Sequence, residues 1–220
     1  MAVTNRPRIE AYIGASGSGK GVSINARLAE LKPARLIIWD PRNEYGAHAR
    51  RFDNLRDLVG AWRQAGGSGS LRTRYVAGPS LPLPEAFGIV CALAFSVGEC
   101  TLLAEELSDV TTASRAPPAW RRAITQGRHV GLHIIGAAQR PALIDKTFLG
   151  NSTYIRCFTL RYREDRRAMA AALDVDEQRV AELATVETPT GVAIGYIERD
   201  FREGTLQNGT LKLRRRRGAT

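Results

Sequence analysis

A glycine-rich stretch near the amino terminus constrains the fold of this chain more than any other feature. It runs Gly14-Ala15-Ser16-Gly17-Ser18-Gly19-Lys20-Gly21 and lies between the apolar run Ile9–Ile13 and the helix-like segment Val22–Lys32. A strand, a glycine-rich turn and a helix in this order form a phosphate-binding loop, in which backbone N–H groups and the helix N-terminus converge on an anion. The alternative is a flexible Gly/Ser turn that contains a lysine by chance. The flanking strand and helix favour the phosphate-binding loop.

The nucleotide-binding residues predicted from this loop are Gly14, Ala15, Ser16, Gly17, Ser18, Gly19, Lys20, Gly21 and Val22. Lys20 is expected to reach the β- and γ-phosphates of ATP. The loop departs from the usual pattern at Gly21, because a Ser or Thr normally stands there and contacts Mg²⁺. Ser23, Ser18 or water must then replace that hydroxyl, and Ser23 is therefore a candidate metal ligand.

The charge of the chain suggests a polyanionic partner. Its 220 residues predict one α/β domain, with or without a small appendage, and they carry a formal net charge of +10 with Arg far in excess of Lys. Arg binds phosphate bidentately, although an Arg-rich surface also arises from genome base composition. Three widely spaced cysteines, Cys91, Cys100 and Cys157, predict buried thiols in a reducing compartment. No apolar run reaches the ~18 residues of a membrane span, so we expect a soluble intracellular protein.

Polar side chains follow two predicted buried strands. Leu36–Trp39 leads into the segment Asp40-Pro41-Arg42-Asn43-Glu44-Tyr45, and Cys100–Ala104 leads into Glu105-Glu106. Ligands bind at the carboxyl ends of parallel strands. Adjacent carboxylates there are typical of NTPases, in which one acid holds the Mg²⁺ shell and the other polarises the attacking water. The alternatives are turn or cap roles for Asp40 and Glu44, and a Glu-rich helix N-terminus for the acidic pair.

A third predicted strand, Val130–Ile135, runs on towards Gln139. A glutamine at the end of a buried strand can contact the γ-phosphate or the lytic water, although a loop amide is the alternative for an isolated Gln. Further apolar and helical segments alternate up to Ile197. This order predicts an α/β P-loop NTPase with a mostly parallel sheet flanked by helices, in which residues 1–200 form one domain and residues 201–220 add a strand and the basic tail Arg214–Arg217.

Together these motifs resemble the HerA/FtsK superfamily of DNA-pumping ATPases over roughly residues 8–175. The most specific segment is Gly127-Arg128-His129-Val130-Gly131 through Gln139-Arg140-Pro141, supported by Asp40-Pro41 with Glu44-Tyr45. Within that superfamily, the small size is similar to the genome-packaging ATPases of tectivirus-like viruses, which contain double-stranded DNA and an internal membrane. The resemblance implies translocation of double-stranded DNA, without sequence preference, into a preformed capsid.

The resemblance also implies roles for single residues. Lys20 would bind phosphate, Glu105 would be the metal-shell acid, Glu106 the catalytic base and Gln139 the sensor. Arg128 is the expected arginine finger of a homo-oligomeric ring, for which we expect a hexamer, and Arg122 is the reserve. Further expected partners are capsid-vertex or membrane packaging proteins, and the expected location is the host cytoplasm or the virion vertex.

Two other functions share parts of this pattern. Gly-Lys-Gly occurs in the P-loops of nucleoside monophosphate kinases, but the Asp-Gly-x-Pro-Arg segment of those enzymes is missing from the sequence. Morphogenesis ATPases of filamentous phages share the core, but they typically carry a membrane span. DNA-stimulated ATP hydrolysis separates the three functions.

Overall fold

The computed structural model describes residues 8–67 and 69–214. In this part of the chain the strands are β1 (Ile9–Ile13), β2 (Arg35–Trp39), β3 (Arg50–Phe52), β4 (Leu71–Tyr75), β5 (Thr101–Ala104), β6 (His133–Ala138), β7 (Tyr154–Phe158), β8 (Thr185–Thr188), β9 (Gly191–Asp200) and β10 (Thr205–Arg214). The helices are α1 (Lys20–Leu31), α2 (Leu55–Ala65), α3 (Leu83–Val97), α4 (Pro118–Gln126), α5 (Lys146–Asn151), α6 (Arg163–Leu173) and α7 (Glu177–Ala181).

All the described strands belong to one sheet with the order β10-β9-β7-β1-β6-β5-β2-β4-β3, and β8 pairs with β9 outside this path. The strands from β7 to β3 along this path pair in parallel. The pairs that involve β9 are antiparallel. The predicted α/β P-loop fold with a mostly parallel sheet is confirmed.

The central strands are apolar on both sides because helices cover both faces of the sheet. Along β2, Leu36 and Ile38 pack on the face covered by α1, whereas Ile37 and Trp39 pack on the face covered by α2 and α3. This alternation follows from the two-residue period of a strand. It explains why the segment reads as a continuous apolar run in the sequence.

The strand order brings the predicted site residues to one edge. Strands β1, β6, β5 and β2 are successive neighbours, so their carboxyl ends lie side by side. The glycine-rich loop, Gln139, Glu105-Glu106 and the segment that starts at Asp40 follow these four ends in turn.

The last strand is an integral part of the sheet. Strand β10 pairs with β9 along its whole length, from Thr205 with Asp200 to Arg214 with Gly191. The rest of the predicted basic tail, Arg215–Arg217, lies outside the described residues.

The three cysteines are buried free thiols. Among the helices of the described residues, none has the length and apolarity that crossing a membrane requires.

Candidate nucleotide-binding site

The glycine-rich loop joins the end of β1 to the start of α1. Gly17 and Gly19 have φ angles of +75° and +90°, which side chains of L residues rarely adopt. A Cβ at Gly19 would also lie 3.0 Å from Cδ2 of Leu211 on β10, whereas a Cβ at Gly17 would meet nothing within 4 Å. Gly19 is therefore required both by its backbone conformation and by close packing against the terminal hairpin.

Lys20 is the first residue of α1 and is largely buried. Its Nζ donates to the carbonyl oxygens of Gly14 at 2.7 Å and Ala15 at 3.2 Å. Burial lowers the pKa of the Lys20 ammonium, and the nearby carboxylates of Glu105, Glu106 and Glu44 partly oppose this shift. The lysine is therefore held at the loop by neutral carbonyls and faces three acidic side chains.

Glu105 is a buried carboxylate at the end of β5. The hydroxyl of Tyr45, which is fully buried, donates to Glu105 Oε1, and the backbone N–H of Glu106 donates to its Oε2 at 3.2 Å. Burial raises the pKa of Glu105, while the bond from Tyr45 and the charge of Lys20 act in the opposite direction. The phenol thus fixes the orientation of the carboxylate that was predicted to hold the metal shell.

Glu106 is oriented by the predicted sensor residue. Gln139 Nε2 donates to Glu106 Oε2 at 2.5 Å, and the side chain of Glu106 is buried. Its backbone is left-handed, with φ 48° and ψ 55°, a conformation that costs free energy for a residue other than glycine. The end of β5 therefore holds this carboxylate in a strained but hydrogen-bonded position.

These groups surround one cavity of about 490 Å³, a volume within the usual range for small-ligand sites. The residues that line it are Ser16, Gly17, Ser18, Gly19, Lys20, Gly21, Val22, Arg42, Glu44, Glu105, Glu106, Gln139 and Leu213. Of the predicted loop residues, Gly14 and Ala15 do not line the cavity but accept the hydrogen bonds of Lys20. The structure thus brings the loop, the acidic pair and the glutamine together.

Three predicted residues are not brought to this cavity. Ser23 is buried on α1, and its Oγ accepts a hydrogen bond from Arg156 on β7 at 3.3 Å, so it lies on the side of α1 that faces the sheet. Arg128 is exposed in a 3-10 turn (Gly127–Val130) that precedes β6, whereas the cavity lies where the central strands end. Arg122 stacks on the ring of Phe95 at 4.2 Å.

Sequence reasoning missed two residues of the cavity. Arg42 lines it and forms an ion pair with Asp109 at 3.1 Å. Leu213 lines it from β10, far away in the sequence, and no local pattern announces that contact. Glu44, for which a turn or cap role was the alternative, also lines the cavity. The position of Arg42 between Asp40 and Glu44, after a buried strand, was the signal that could have identified it.

Asp40 serves the site indirectly. Its carboxylate accepts hydrogen bonds from the backbone N–H groups of Glu44 at 2.8 Å and Tyr45 at 3.1 Å. Arg74 on β4 donates to the same carboxylate at 3.1 Å. Asp40 is therefore a buried brace for the segment that carries Glu44 and Tyr45, which agrees with the turn role considered for it.

No protein-family model matches the chain. The sequence is 28% identical over 179 residues to Protein P9 of Pseudoalteromonas phage PM2, a match that covers 79% of this chain and 78% of that protein. The structure is similar to the genome packaging NTPase B204 from Sulfolobus turreted icosahedral virus 2 in complex with AMPPCP. The TM-score is 0.72 at 19% identity, over 94% of this chain and 98% of the other.

A more distant structural neighbour is the plasmid coupling protein TrwB in complex with the non-hydrolysable GTP analogue GDPNP. The TM-score is 0.62 at 11% identity, over 94% of this chain and 86% of that chain. The predicted resemblance is thereby confirmed: the chain is similar in sequence to a phage protein, and it has the fold of a viral genome packaging NTPase and of a plasmid coupling protein.

Proposed function

We propose that this chain is an ATPase that moves double-stranded DNA during viral genome packaging. The observation that carries the proposal is the hydrogen bond from Gln139 to Glu106 across a cavity that Lys20 and the glycine-rich loop also line. Hydrolysis of a nucleoside triphosphate requires groups that bind the phosphates, a general base and a side chain that senses the γ-phosphate. The similarity to Protein P9 of a phage and the fold shared with a genome packaging NTPase support the viral role.

In this proposal the loop N–H groups and Lys20 bind the phosphates, and the lysine exchanges its two carbonyl partners for phosphate oxygens. Glu106 takes the proton of the attacking water, and Gln139 holds the Glu106 carboxylate in place. Loss of the γ-phosphate releases that hydrogen bond. The change is thereby transmitted to β6, the strand that ends just before Gln139.

The donor set fits Mg²⁺, which prefers carboxylate oxygens and usually takes one or two of them, with phosphates and waters completing its shell. Among the described residues no three acidic, cysteine or histidine side chains form a closed metal site, and Mg²⁺ does not need one. Glu105 is the residue that would hold it. Bound Mg²⁺ would neutralise charge on the phosphates during transfer.

Two substitutions test the hydrolytic site. Lys20→Ala should abolish binding of ATP, whereas Glu106→Gln should keep binding and lower kcat by ~10²-fold or more, because a general base typically contributes that much. Glu182→Gln, a change in an exposed carboxylate near α7, is the matched control and should leave both unchanged. Normal turnover by Glu106→Gln would remove Glu106 from the base role.

We propose in addition that the active form is a ring, with a hexamer as the expected form, and that Arg128 enters the site of the neighbouring subunit. In the described part of the chain its side chain is exposed and has no hydrogen-bond or ion-pair partner, whereas Arg122 is engaged with Phe95. Such fingers contribute about 10³–10⁵ in rate.

Mixed subunits test the finger. Subunits with Arg128→Ala and subunits with Glu106→Gln should be nearly inactive alone and regain activity when mixed, because one interface of the mixture is then intact. If mixtures with Arg122→Ala regain activity and those with Arg128→Ala do not, the finger is Arg122. Full activity of a monomer would refute the ring.

The DNA partner is proposed from charge. With a net charge of +10 and no base-reading motif, contacts to phosphate should dominate, so that affinity is independent of sequence and falls steeply with salt. In the segment 161–167, Arg163 and Arg167 share Glu177, whereas Arg161 has no acidic partner among the described residues. The proposed location is the host cytoplasm or the virion vertex, where capsid-vertex or membrane packaging proteins would be further partners.

A further inference from the structure

Gly21 leaves an open space at the position where a P-loop normally carries a hydroxyl. A Cβ at Gly21 would meet a single atom within 4 Å, Oε2 of Glu44, at 3.9 Å. The backbone of Gly21 does not have a positive φ, so its conformation does not demand glycine. A side chain at position 21 would therefore have the carboxylate of Glu44 as its nearest neighbour.

The backbone of Glu44 is held firmly while its side chain is free. Asp40 accepts from the Glu44 N–H at 2.8 Å, and Arg74 holds Asp40 in turn at 3.1 Å. Within residues 8–67 and 69–214, the exposed Glu44 carboxylate has no hydrogen-bond or ion-pair partner. A carboxylate on a braced loop, pointing at the nucleotide cavity without a partner, is suited to receive a ligand there.

Neither of the two serines considered as replacements has its hydroxyl next to Gly21. The Ser23 hydroxyl is bound to Arg156. The Ser18 Oγ, although Ser18 lines the cavity, lies beside Gly14, 2.5 Å from where a Cβ on Gly14 would stand, and it is not within 4 Å of a Cβ at Gly21. Of the side chains near this position, the Glu44 carboxylate is the one that faces Gly21.

We propose that Glu44 takes the place of the P-loop hydroxyl and, together with Glu105, would supply an oxygen to the Mg²⁺ shell. This inference rests on the proposed function, because it requires a bound nucleoside triphosphate with its metal. The chemistry agrees with the preference of Mg²⁺ for carboxylate oxygens and for a small number of protein ligands. It also explains how a loop that lacks the usual Ser or Thr retains a metal-binding side chain.

The test is binding of a non-hydrolysable ATP analogue over a Mg²⁺ series, measured by calorimetry. Four proteins are compared, namely the wild type, Glu44→Gln, Gly21→Ser and the double variant. In Glu44→Gln, the Mg²⁺ concentration that gives half of the maximal increase in analogue affinity should be ~10-fold or more higher. This is the usual cost of losing a group that supports a metal ion. The double variant should recover most of that loss, because Gly21→Ser restores the hydroxyl in a space that is open.

Glu30→Gln, which removes an exposed carboxylate at the far end of α1, is the control and should behave as the wild type. An unchanged Mg²⁺ requirement in Glu44→Gln would overturn the inference while leaving the proposed function intact. Equal loss of affinity with and without Mg²⁺ would also overturn it, because Glu44 would then act on the nucleotide and not on the metal. A wild-type protein that binds no nucleotide would refute the proposed function itself.

Discussion

Tyr45 should position the Glu105 carboxylate for ATP hydrolysis, although Tyr45 itself does not line the nucleotide cavity. Its buried hydroxyl donates to Glu105, and Tyr45→Phe deletes that donor while keeping the ring. A hydrogen bond to a charged group is worth about 1.5–3 kcal/mol, and the carboxylate it serves is only 8% exposed, so water does not readily replace it. If that free energy is lost in the transition state, kcat should fall by about 10-fold to 150-fold.

The assay is steady-state ATP hydrolysis at saturating ATP, with the Mg²⁺ requirement measured in parallel. Tyr75→Phe is a control, because the Tyr75 side chain is also buried, at 2% exposure, but its hydroxyl makes no hydrogen bond within the described residues. Tyr45→Phe should lower kcat and raise the Mg²⁺ requirement, whereas Tyr75→Phe should change neither. A Tyr45→Phe protein that is folded and has wild-type kcat and Mg²⁺ dependence would refute the positioning role.

Two further predictions concern the scaffold. Burial alone would raise the pKa of Glu10, but hydrogen bonds from His133 and Arg27 lower it to about 2 from 4.5, a difference worth about 3 kcal/mol at 1.36 kcal/mol per pH unit. The wild type should therefore have a higher free energy of unfolding in urea than Glu10→Gln. This difference should be complete above pH 4.5 and disappear towards pH 2. A difference that does not depend on pH would contradict the prediction. Gly19→Ala should weaken nucleotide binding more than Gly17→Ala, because both add left-handed strain but only the first also meets the terminal hairpin. Equal effects of the two substitutions would show that the hairpin contact is unimportant.

The sequence was sufficient to predict the parts of the fold that local patterns determine. Strand β1 begins and ends where the apolar run Ile9–Ile13 predicted it. The predicted strand Cys100–Ala104 differs from β5 by one residue at its start. The start of β6 was predicted too early, at Val130, because Gly127–Val130 forms a 3-10 turn and Gly131 has φ +69°. The apolar residues before His133 therefore belong to a turn and not to the strand.

The short strands β3 and β8 were not predicted, because a strand at or near a sheet edge has too few buried residues to show a pattern. The packing of β10 on the P-loop could not be predicted either. It depends on which edge of the sheet the hairpin joins, and the residues concerned, Gly19 and Leu211, are almost 200 positions apart. Local sequence carries no information on such a contact.

The candidate site divides in the same way. Lys20, Glu106 and Gln139 were predicted from motifs and lie around one cavity, because parallel strands align their carboxyl ends. The bonds between them were not predictable, since they depend on rotamers and on loop conformation. The position of Ser23 shows this limit. Successive helical residues point about 100° apart, so Val22 lines the cavity while Ser23 packs on the sheet.

ATP-dependent displacement of a third strand from a triplex on random-sequence duplex DNA tests the central claim most directly. The wild type should displace the strand with ATP and not with a non-hydrolysable analogue, hydrolysis should increase on addition of any duplex, and Glu106→Gln should bind DNA without displacing the strand. Hydrolysis that DNA does not stimulate, that leaves the third strand in place and that transfers phosphate to a small acceptor would contradict translocation and favour a kinase.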